Sequence, residues 1–315
     1  MANLEMQVSC GIGDLIYIHS QLESIKHKYD KIHITPKVSI LSHPARGKNN
    51  YTYLSFLQEF MNLLFSEEPY SVVPFCELDD SQEGASRLIH TSSGYPSRDA
   101  VSLNRAMGIP FRQPNLASKL CLGSSLAIKE DYIVLTTRVR EFSHQIYKKL
   151  KESIFNTLNE TAKNSNIKIL LLGDRDMGKT LDVTVHGIFS VYSDAILSLD
   201  PSIVIDLTVD ESLVSRPVGL KSLQQDCLLM NESLAVISFG IGGNASLSIA
   251  SEARVINLSD SSRALHRIWR DLYYEKTNLL DFLNLKEDPQ KRVLVTKDCN
   301  RFLDYIANIP LCNKK

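Results

Sequence analysis

The chain has 315 residues, a length that predicts two domains of about 150 residues each. Its 35 lysines and arginines nearly balance 36 aspartates and glutamates, so the net charge of -1 gives no reason to expect bulk binding to nucleic acid or to an anionic membrane. Hydrophobic residues make up 43% of the chain, which is enough for each domain to bury a core.

Signals for export and for membrane insertion are missing from the sequence. The first residues do not combine a basic region with a long apolar run, so they do not predict a signal peptide. No apolar stretch approaches the roughly 20 residues that span a bilayer. The six cysteines are scattered without a C-x-x-C pair, a pattern typical of reduced thiols rather than of disulfides or a zinc site. We therefore expect a cytoplasmic protein without a transmembrane segment, for which peripheral contact with a membrane stays open.

The first part of the chain alternates apolar runs with helical patterns and then becomes rich in turns. Short apolar runs bounded by turn residues predict strands, and apolar residues at helical spacing predict helices. The predicted elements are a strand at 6–10, a turn at 11–13, a helix at 14–29, a strand at 31–34, a helix at 50–65, and short strands and loops over 66–125.

A second series of alternating strands and helices follows a boundary predicted near residues 115–130. Its predicted strands lie at 131–137, 167–172, 203–207, 235–239 and 254–258, with helices at 143–164 and 245–252. Strands that alternate with helices indicate parallel βαβ units. The predicted fold class is therefore α/β, with two doubly wound parallel sheets whose ligands lie beyond the carboxyl ends of the strands.

The first candidate site is the turn around Gly11 and Gly13, which leads into Asp14. Glycines let the backbone turn sharply, and the start of a helix offers free N–H groups to an anion. Asp14 is interpreted either as a general base that faces the cleft between the domains or as the N-cap of the helix. A dinucleotide or methyl-donor cofactor would favour an acidic residue at the end of the second strand, and residues 32–36 have none.

The second candidate site follows the strand at 131–137. Thr136, Thr137, Arg138 and Arg140 combine hydroxyl and guanidinium groups at the carboxyl end of a strand. Arginine supplies paired donors and keeps its charge, so this set is suited to a diphosphate. Polar residues at a strand end are also common without any ligand.

The third candidate site, residues 173–180, matches the phosphate-binding pattern G-x-x-x-x-G-K-[ST], with Lys179 as its lysine. Asp206, at the end of the strand at 203–207, would be the acidic partner of that motif. Two features argue against it. Asp174 and Asp176 put negative charge inside the loop, and the β-branched segment that follows is a poor helix former.

The fourth candidate site is the most specific local feature. Gly240, Gly242 and Gly243 separate a strand from a helix that begins near Asn244 and Ser246. Three glycines before a helix leave room for a phosphate to approach the backbone. A merely tight turn between a strand and a helix would need only one or two.

In this order, the segments resemble those of glycosyltransferase family 9, the heptosyltransferase-like enzymes of the GT-B type. Residues 10–15 are similar to the N-terminal S-x-G-D turn of that family, whose aspartate is the base, and residues 135–138 to a Thr-Thr strand end that meets the donor phosphates. Further along, residues 171–173 resemble its L-x-G strand end, residues 206–213 its D-L-T-G-x-T-S-L stretch, and residues 235–250 the D-[ST]-G-x-x-H block that closes around the donor.

The chain departs from the family pattern in the last of these blocks. Gly240, Ile241 and Gly242 stand where the family has its Asp-[ST] pair, and Ser246 aligns with its histidine. An extra stretch at 214–221 interrupts the preceding motif. A catalytically inactive GT-B-like scaffold that binds a nucleotide therefore stays open, as does a P-loop kinase or NTPase that uses residues 173–180.

The resemblance implies two facing Rossmann-like domains, with residues 1–125 on the acceptor side, residues 126–290 binding a nucleotide sugar, and residues 291–315 packing back across the hinge. It implies transfer of a sugar to a glycan or a lipid-linked saccharide with Asp14 as the base and without a cofactor, a metal or nucleic acid as partner. Asp206 is expected near the ribose. The expected phosphate-binding residues are Gly11, Gly13, Thr136, Thr137, Arg138, Arg140, Gly173, Gly240, Gly242, Gly243, Asn244 and Ser246.

Overall fold

The computed structural model of the chain describes residues 2–8, 11–36, 50–77, 103–104, 107–123, 128–173, 175, 188–208, 220–259, 267–284 and 289–312. It divides into two compact units, Met1–Asn115 with Val218–Leu220 and Leu116–Pro217 with Lys221–Lys315. The division falls at the start of the predicted boundary segment. The assignment of an acceptor and a donor to the two domains stays a prediction.

The first unit contains a parallel sheet of three described strands. The elements are β1 (Ala2–Val8), α1 (Ile12–Leu22), β2 (Tyr29–Pro36), α2 (Asn50–Leu64) and β3 (Tyr70–Val72), and the strand order is β1-β2-β3. Helix α1 is shorter than the predicted helix at 14–29 and is followed by a single 3-10 turn. Every residue of α1 from Leu15 to Leu22 is buried, so this helix is a central element of the unit.

The second unit is built on a larger sheet in which all the predicted strands are present. Its strands are β4 (Tyr132–Arg140), β5 (Lys168–Leu172), β6 (Ile188–Ser190), β7 (Val204–Asp206), β8 (Val236–Phe239), β9 (Val255–Leu258) and β10 (Val293–Thr296). Its helices are α3 (Ala117–Leu120), α4 (Glu141–Ser165), α5 (Tyr192–Ser198), α6 (Leu220–Glu232), α7 (Gly243–Ala250), α8 (Arg267–Leu272), α9 (Leu279–Asn284) and α10 (Cys299–Ala307).

The strand order of this sheet is β10-β9-β8-β4-β5-β7, with every pair along it parallel, while β6 pairs antiparallel with the end of β4. The chain starts in the middle at β4, builds outward through β5 and β7, and returns to the other side of β4 to build β8, β9 and β10. This is the order of the classical doubly wound nucleotide-binding sheet, and its switch point lies between β4 and β8. The predicted α/β class with parallel sheets is confirmed.

Continuous apolar runs explain why this sheet is parallel and buried. All residues of β8, β9 and β10 are buried, as expected when helices cover both faces of a parallel sheet. The C-terminal residues supply the edge strand β10 and the helix α10 of the second unit. Their expected return across the hinge stays a prediction. Asp298 caps α10 by accepting a hydrogen bond from the Arg301 N–H, and Phe302 and Tyr305 bury its apolar face.

Two further sequence predictions concern membrane-spanning helices and the state of the cysteines. None of the helices in the described part is both long and apolar enough to cross a bilayer. Cysteines whose side chains are described, Cys121, Cys227, Cys299 and Cys312, are free thiols. Burial raises the pKa of the Cys227 thiol, which makes this group a packing residue rather than a nucleophile.

Candidate functional site

Strand β4 separates from both of its neighbours at the switch point. Its pairing with β5 ends at Thr136, and its pairing with β8 skips from Leu135 to Val139. The hydroxyls of two buried threonines span the gaps. Thr136 Oγ1 donates to Ile237 O of β8 and Thr137 Oγ1 donates to Leu172 O of β5, each at 3.3 Å. The sequence predicted that these two hydroxyls donate to a phosphate. In the structure their protons are donated to carbonyl oxygens of β5 and β8.

The glycine-rich turn follows β8 and leads directly into α7. Gly240 has a φ of +74°, a left-handed conformation that favours glycine, and its N–H donates to Leu258 O at 2.9 Å. Gly242 is the N-cap, with extended backbone and no side-chain cap. The first helical bond runs from Ser246 N to Gly242 O at 3.0 Å. The N–H groups of residues 243–245 therefore lie outside the helical ladder and form the positive end of the helix.

A depression lies where β4, β8 and the start of α7 meet. It is shallow and open to solvent, and its volume is about 10 Å³, so it encloses little more than one water-sized group. Among the described residues that line it, one side chain is a cation and none is a carboxylate. The lining residues are Thr136, Arg138, Ser238, Phe239, Gly240, Gly242, Asn244 and Ala245.

Gly173, at the end of β5, lies close to Thr137 of β4 and Asn244 of α7. Its φ is +115°, and a Cβ placed on it would lie 2.7 Å from Thr137 Oγ1 and 3.5 Å from Asn244 Nδ2. A side chain is excluded both by the backbone conformation and by the close approach of β4. The structure therefore brings Gly173, Thr137 and Asn244 together, while the phosphate binding expected of them stays a prediction.

Several predicted site residues do not line the depression. Gly243 is the first residue of α7, and Ser246 is buried in its first turn. The backbone of Arg140 pairs with Ile188 in β6. The side chain of Arg140 lies outside the described residues, as do Lys179 and most of the predicted phosphate-binding loop at 173–180.

Asp206 ends β7 and has a different environment from the one predicted. It lies two strands from β4 in the sheet, roughly 10 Å away at the usual strand spacing. Its Oδ1 accepts from Thr208 N at 3.0 Å and Thr208 Oγ1 at 2.5 Å. Its Oδ2 accepts from Arg175 Nη2 at 3.0 Å and Tyr192 Oη at 2.9 Å.

These contacts fill the acceptor positions of the Asp206 carboxylate. Burial of this group acts to raise its pKa, but the hydrogen bonds from Thr208 and Tyr192 and the charge of Arg175 outweigh burial, so the pKa of Asp206 is lowered. The guanidinium of Arg175 also lies over the Tyr192 ring, 5.3 Å from its centroid. Asp206 is thus a member of an exposed polar cluster at the end of β7, in which its carboxylate accepts four hydrogen bonds, and its expected place near a ribose stays a prediction.

Asp14 lies in the first unit, in the first turn of α1. The interpretation of Asp14 as the N-cap is wrong, because the N-cap is Gly11, with φ -68° and ψ 132°, and Gly13 lies within the helix. Asp14 Oδ2 lies 2.8 Å from the point where a Cβ on Gly11 would stand. The carboxylate therefore folds back over the start of α1, where the positive end of the helix stabilises an anion.

Two polar residues at the depression were missed by the sequence prediction. Ser238 lies in β8 and lines the depression, and Asn257 lies in β9 beside it. Asn257 Nδ2 donates to Ser238 Oγ at 2.7 Å and to Gly240 O at 2.9 Å. The available signal was an asparagine inside the otherwise apolar strand VINL, since a buried amide requires hydrogen-bond partners.

Metal ligation finds no support in the described part of the chain, where no three His, Cys, Asp or Glu side chains group as ligands. This observation concerns protein ligands alone and says nothing of a cation carried by a substrate.

The chain is similar to known proteins in structure and not in sequence. No protein-family model matches the sequence, and no curated protein matches it. The solved structures similar to it include TibC of enterotoxigenic Escherichia coli, a dodecameric iron-containing heptosyltransferase solved with ADP-D-beta-D-heptose, at 12% identity over 84% of this chain and a TM-score of 0.47. The chain spans 60% of the length of TibC.

Two other similar structures match over nearly their whole length. The E. coli ADP-heptose LPS heptosyltransferase II is 12% identical over 99% of each chain, with a TM-score of 0.44. The glycosyl transferase family 9 protein of Veillonella parvula is 8% identical over 98% of this chain and 97% of its own, with a TM-score of 0.42.

Proposed function

We propose that the chain is a glycosyltransferase that holds the diphosphate of a nucleotide sugar in the depression and transfers the sugar to a hydroxyl acceptor. The observation that carries this proposal is the coincidence of three features at one point: the switch point of the sheet, the Gly240 turn into α7, and the Arg138 side chain. Ligands of doubly wound sheets bind at this point, and a helix start beside a cation is suited to a phosphate.

The electrostatics of the depression support a leaving group that gains negative charge. During glycosyl transfer the bond from the anomeric carbon to the diphosphate oxygen breaks, and its electron pair stays on the diphosphate. Arg138 and the N–H groups of residues 243–245 are donors that would stabilise this charge. The described residues that line the depression include no carboxylate.

The base in this proposal is Asp14, as the family resemblance implies. As the acceptor oxygen forms its bond to the anomeric carbon, its proton passes to the Asp14 carboxylate. Support comes from the position of Asp14 at the start of α1, which follows β1, since residues at this end of a parallel strand commonly contact ligands. We further propose that the acceptor is a glycan or a lipid-linked saccharide, that no cofactor or metal takes part, and that the protein is cytoplasmic.

Calorimetric binding of ADP, GDP, UDP, CDP and dTDP tests the nucleotide part of this proposal. We expect the wild type to bind at least one of them, and Arg138→Ala to weaken that binding by roughly tenfold to hundredfold, as expected for loss of a charged hydrogen-bond donor. Arg270→Ala is the matched control, because Arg270 is an exposed arginine of the same unit that pairs with Asp271. A wild type that binds none of the five nucleotides contradicts the proposal.

The transfer step has its own test. Product formation from the matching nucleotide sugar should continue in the presence of EDTA and should be lost in Asp14→Asn. Tight nucleotide binding without transfer to any saccharide acceptor would instead identify an inactive scaffold. The P-loop alternative finds no support among the described residues, where Asp206, its acidic residue, is already bonded to Arg175, Thr208 and Tyr192.

A further inference from the structure

Two buried polar side chains behind the depression require an explanation. Ser238 is 2% exposed and Asn257 is completely buried, in strands whose other residues are apolar. A buried amide or hydroxyl costs free energy unless it is hydrogen-bonded. The two side chains bond to each other, and Asn257 also bonds to the carbonyl oxygen of Gly240, so the pair is joined to the glycine-rich turn.

The Asn257 carboxamide has a defined orientation. Gly240 O is an acceptor, so the Nδ2 side of the amide must face it, because a reversed amide would set Oδ1 against another oxygen. In this orientation Nδ2 donates to Ser238 Oγ at 2.7 Å. A serine hydroxyl has one proton. Because Ser238 Oγ is the acceptor in its bond to Asn257, that proton is directed elsewhere, and Ser238 lines the depression.

We propose that Ser238 donates its hydroxyl proton to a phosphate oxygen in the depression, and that Asn257 is the positioning residue that sets this direction. The inference rests on the proposed function, since it takes the occupant to be the diphosphate of a nucleotide. Asn257 acts through its neighbours: it orients the Ser238 hydroxyl, and its bond to Gly240 O holds the left-handed turn that precedes the free N–H groups of α7.

The threonines of β4 make this role of Ser238 specific. A hydroxyl donor for phosphate was predicted at Thr136 and Thr137, but their protons are donated to Ile237 O and Leu172 O. Ser238 lies directly after Ile237 on β8, across the gap that Thr136 spans. The Ser238 hydroxyl, on the neighbouring strand β8, is therefore a donor for phosphate where the two threonine hydroxyls of β4 are not.

The test compares two buried serines of the same unit. Ser248 is completely buried, donates to Asn244 O at 2.8 Å and does not line the depression. Using the nucleoside diphosphate that the wild type binds, we expect Ser238→Ala to lose roughly tenfold to hundredfold in affinity, as for one hydrogen bond to a charged group. Ser248→Ala should bind as the wild type does. Unchanged affinity in Ser238→Ala, or an equal loss in Ser248→Ala, overturns the inference.

Asn257 requires a readout that a purely structural residue would not change. In a double-mutant cycle of Asn257→Leu with Ser238→Ala, the combined loss of affinity should be at least fivefold smaller than the product of the single losses, because one variant removes what the other orients. If Asn257→Leu does not fold, the isosteric Asn257→Asp replaces it. Its carboxylate accepts the Ser238 proton and reverses the bond, so affinity should fall at least as far as in Ser238→Ala.

A multiplicative loss in the cycle, or wild-type affinity in Asn257→Asp, overturns the positioning role. The proposed function and the role of Ser238 can be refuted separately. If the wild type binds none of the five nucleoside diphosphates, the proposed function fails and this inference fails with it. If the wild type binds and Arg138→Ala weakens binding while the Ser238 variant does not, only this inference is overturned.

Discussion

Gly173→Ala perturbs the point where β4, β5 and α7 meet. An alanine would have to adopt a φ of +115°, which costs roughly 1–3 kcal/mol for a residue with a Cβ. Its Cβ would also stand 2.7 Å from Thr137 Oγ1, whose hydrogen bond to Leu172 O restrains it. Overpacking of this kind costs about 1–3 kcal/mol more. The total expected loss in the free energy of unfolding is about 2–6 kcal/mol.

Gly123→Ala separates the two contributions. Gly123 belongs to the same unit and has a φ of +135°, but the nearest atom to its added Cβ is Gln225 Oε1 at 3.4 Å, the end of a flexible side chain. It should therefore lose only the backbone part, roughly 1–3 kcal/mol. Urea unfolding followed by the fluorescence of Trp269, the single tryptophan, reports on this unit because Trp269 lies buried in α8.

The expected order is wild type, then Gly123→Ala, then Gly173→Ala. Adding Thr137→Ala to Gly173→Ala removes the hydroxyl that the new Cβ meets, so the double variant should lose less than the sum of the single losses. If Gly173→Ala is no less stable than Gly123→Ala, or if the two changes are simply additive, then Thr137 does not restrict this site and the described geometry is wrong.

Four other outcomes follow from the same structure. Asp14→Asn should fold and lose only about 0.3–1 kcal/mol of stability, the usual contribution of an anion at a helix start, yet transfer sugar at least ~10²-fold more slowly; wild-type turnover would remove Asp14 from the mechanism. Lys179→Ala should leave calorimetric affinity for nucleoside diphosphates unchanged, whereas loss of binding together with Mg²⁺-dependent ATP hydrolysis by the wild type would favour a P-loop. Gly240→Ala should lower both nucleotide affinity and stability, by about 1 kcal/mol or more for the latter, because its φ is +74°; normal affinity would place the phosphate elsewhere. Asp206→Asn should be less stable than the wild type at pH 7, and the difference should close as pH falls below 3.8, the ordinary pKa of this group, since a lowered pKa stabilises the fold only while the carboxylate is ionised; a gap that persists in acid would contradict this.

Local patterns in the sequence were sufficient for the elements of the second unit. Runs such as KILLL and VISF are mostly apolar and are bounded by turns, so they form buried strands in almost any arrangement of this kind. The glycines at 240–243 likewise mark a turn, because a left-handed residue is required wherever the chain reverses so sharply. For these features the determining interactions lie within a few residues of one another.

In the first unit, the local sequence pattern did not predict where helix α1 ends. A helix was predicted over 14–29, but α1 ends at Leu22 and a 3-10 turn occupies Lys26–Lys28. No proline or glycine marks this end, and the Glu23 side chain there bonds to Tyr70 Oη of β3 at 2.8 Å. A contact between residues 47 positions apart cannot be inferred from periodicity.

The order of the strands decided the hydrogen-bond partners of Thr136, Thr137 and Asp206. Thr136 and Thr137 look like phosphate donors in the sequence, but the divergence of β4 from β5 and β8 leaves carbonyls that take their protons. The hydrogen-bond partners of Asp206, which are Arg175, Tyr192 and Thr208, became visible only once β7 and its neighbours were in place. Hydrogen bonds between distant strands settle such competition, and no local pattern records them.

By itself, the sequence determined that parallel βαβ units would form and that their turns could meet an anion, because apolar periodicity and glycine content act over short distances. Only the tertiary structure decided which groups stand at the switch point. It placed Asn257, from a strand 17 residues beyond Gly240, against the carbonyl of that turn. The physical reason is that a hydroxyl or an amide has few hydrogen-bonding positions, and which partner fills them depends on strands that the chain brings together from far apart.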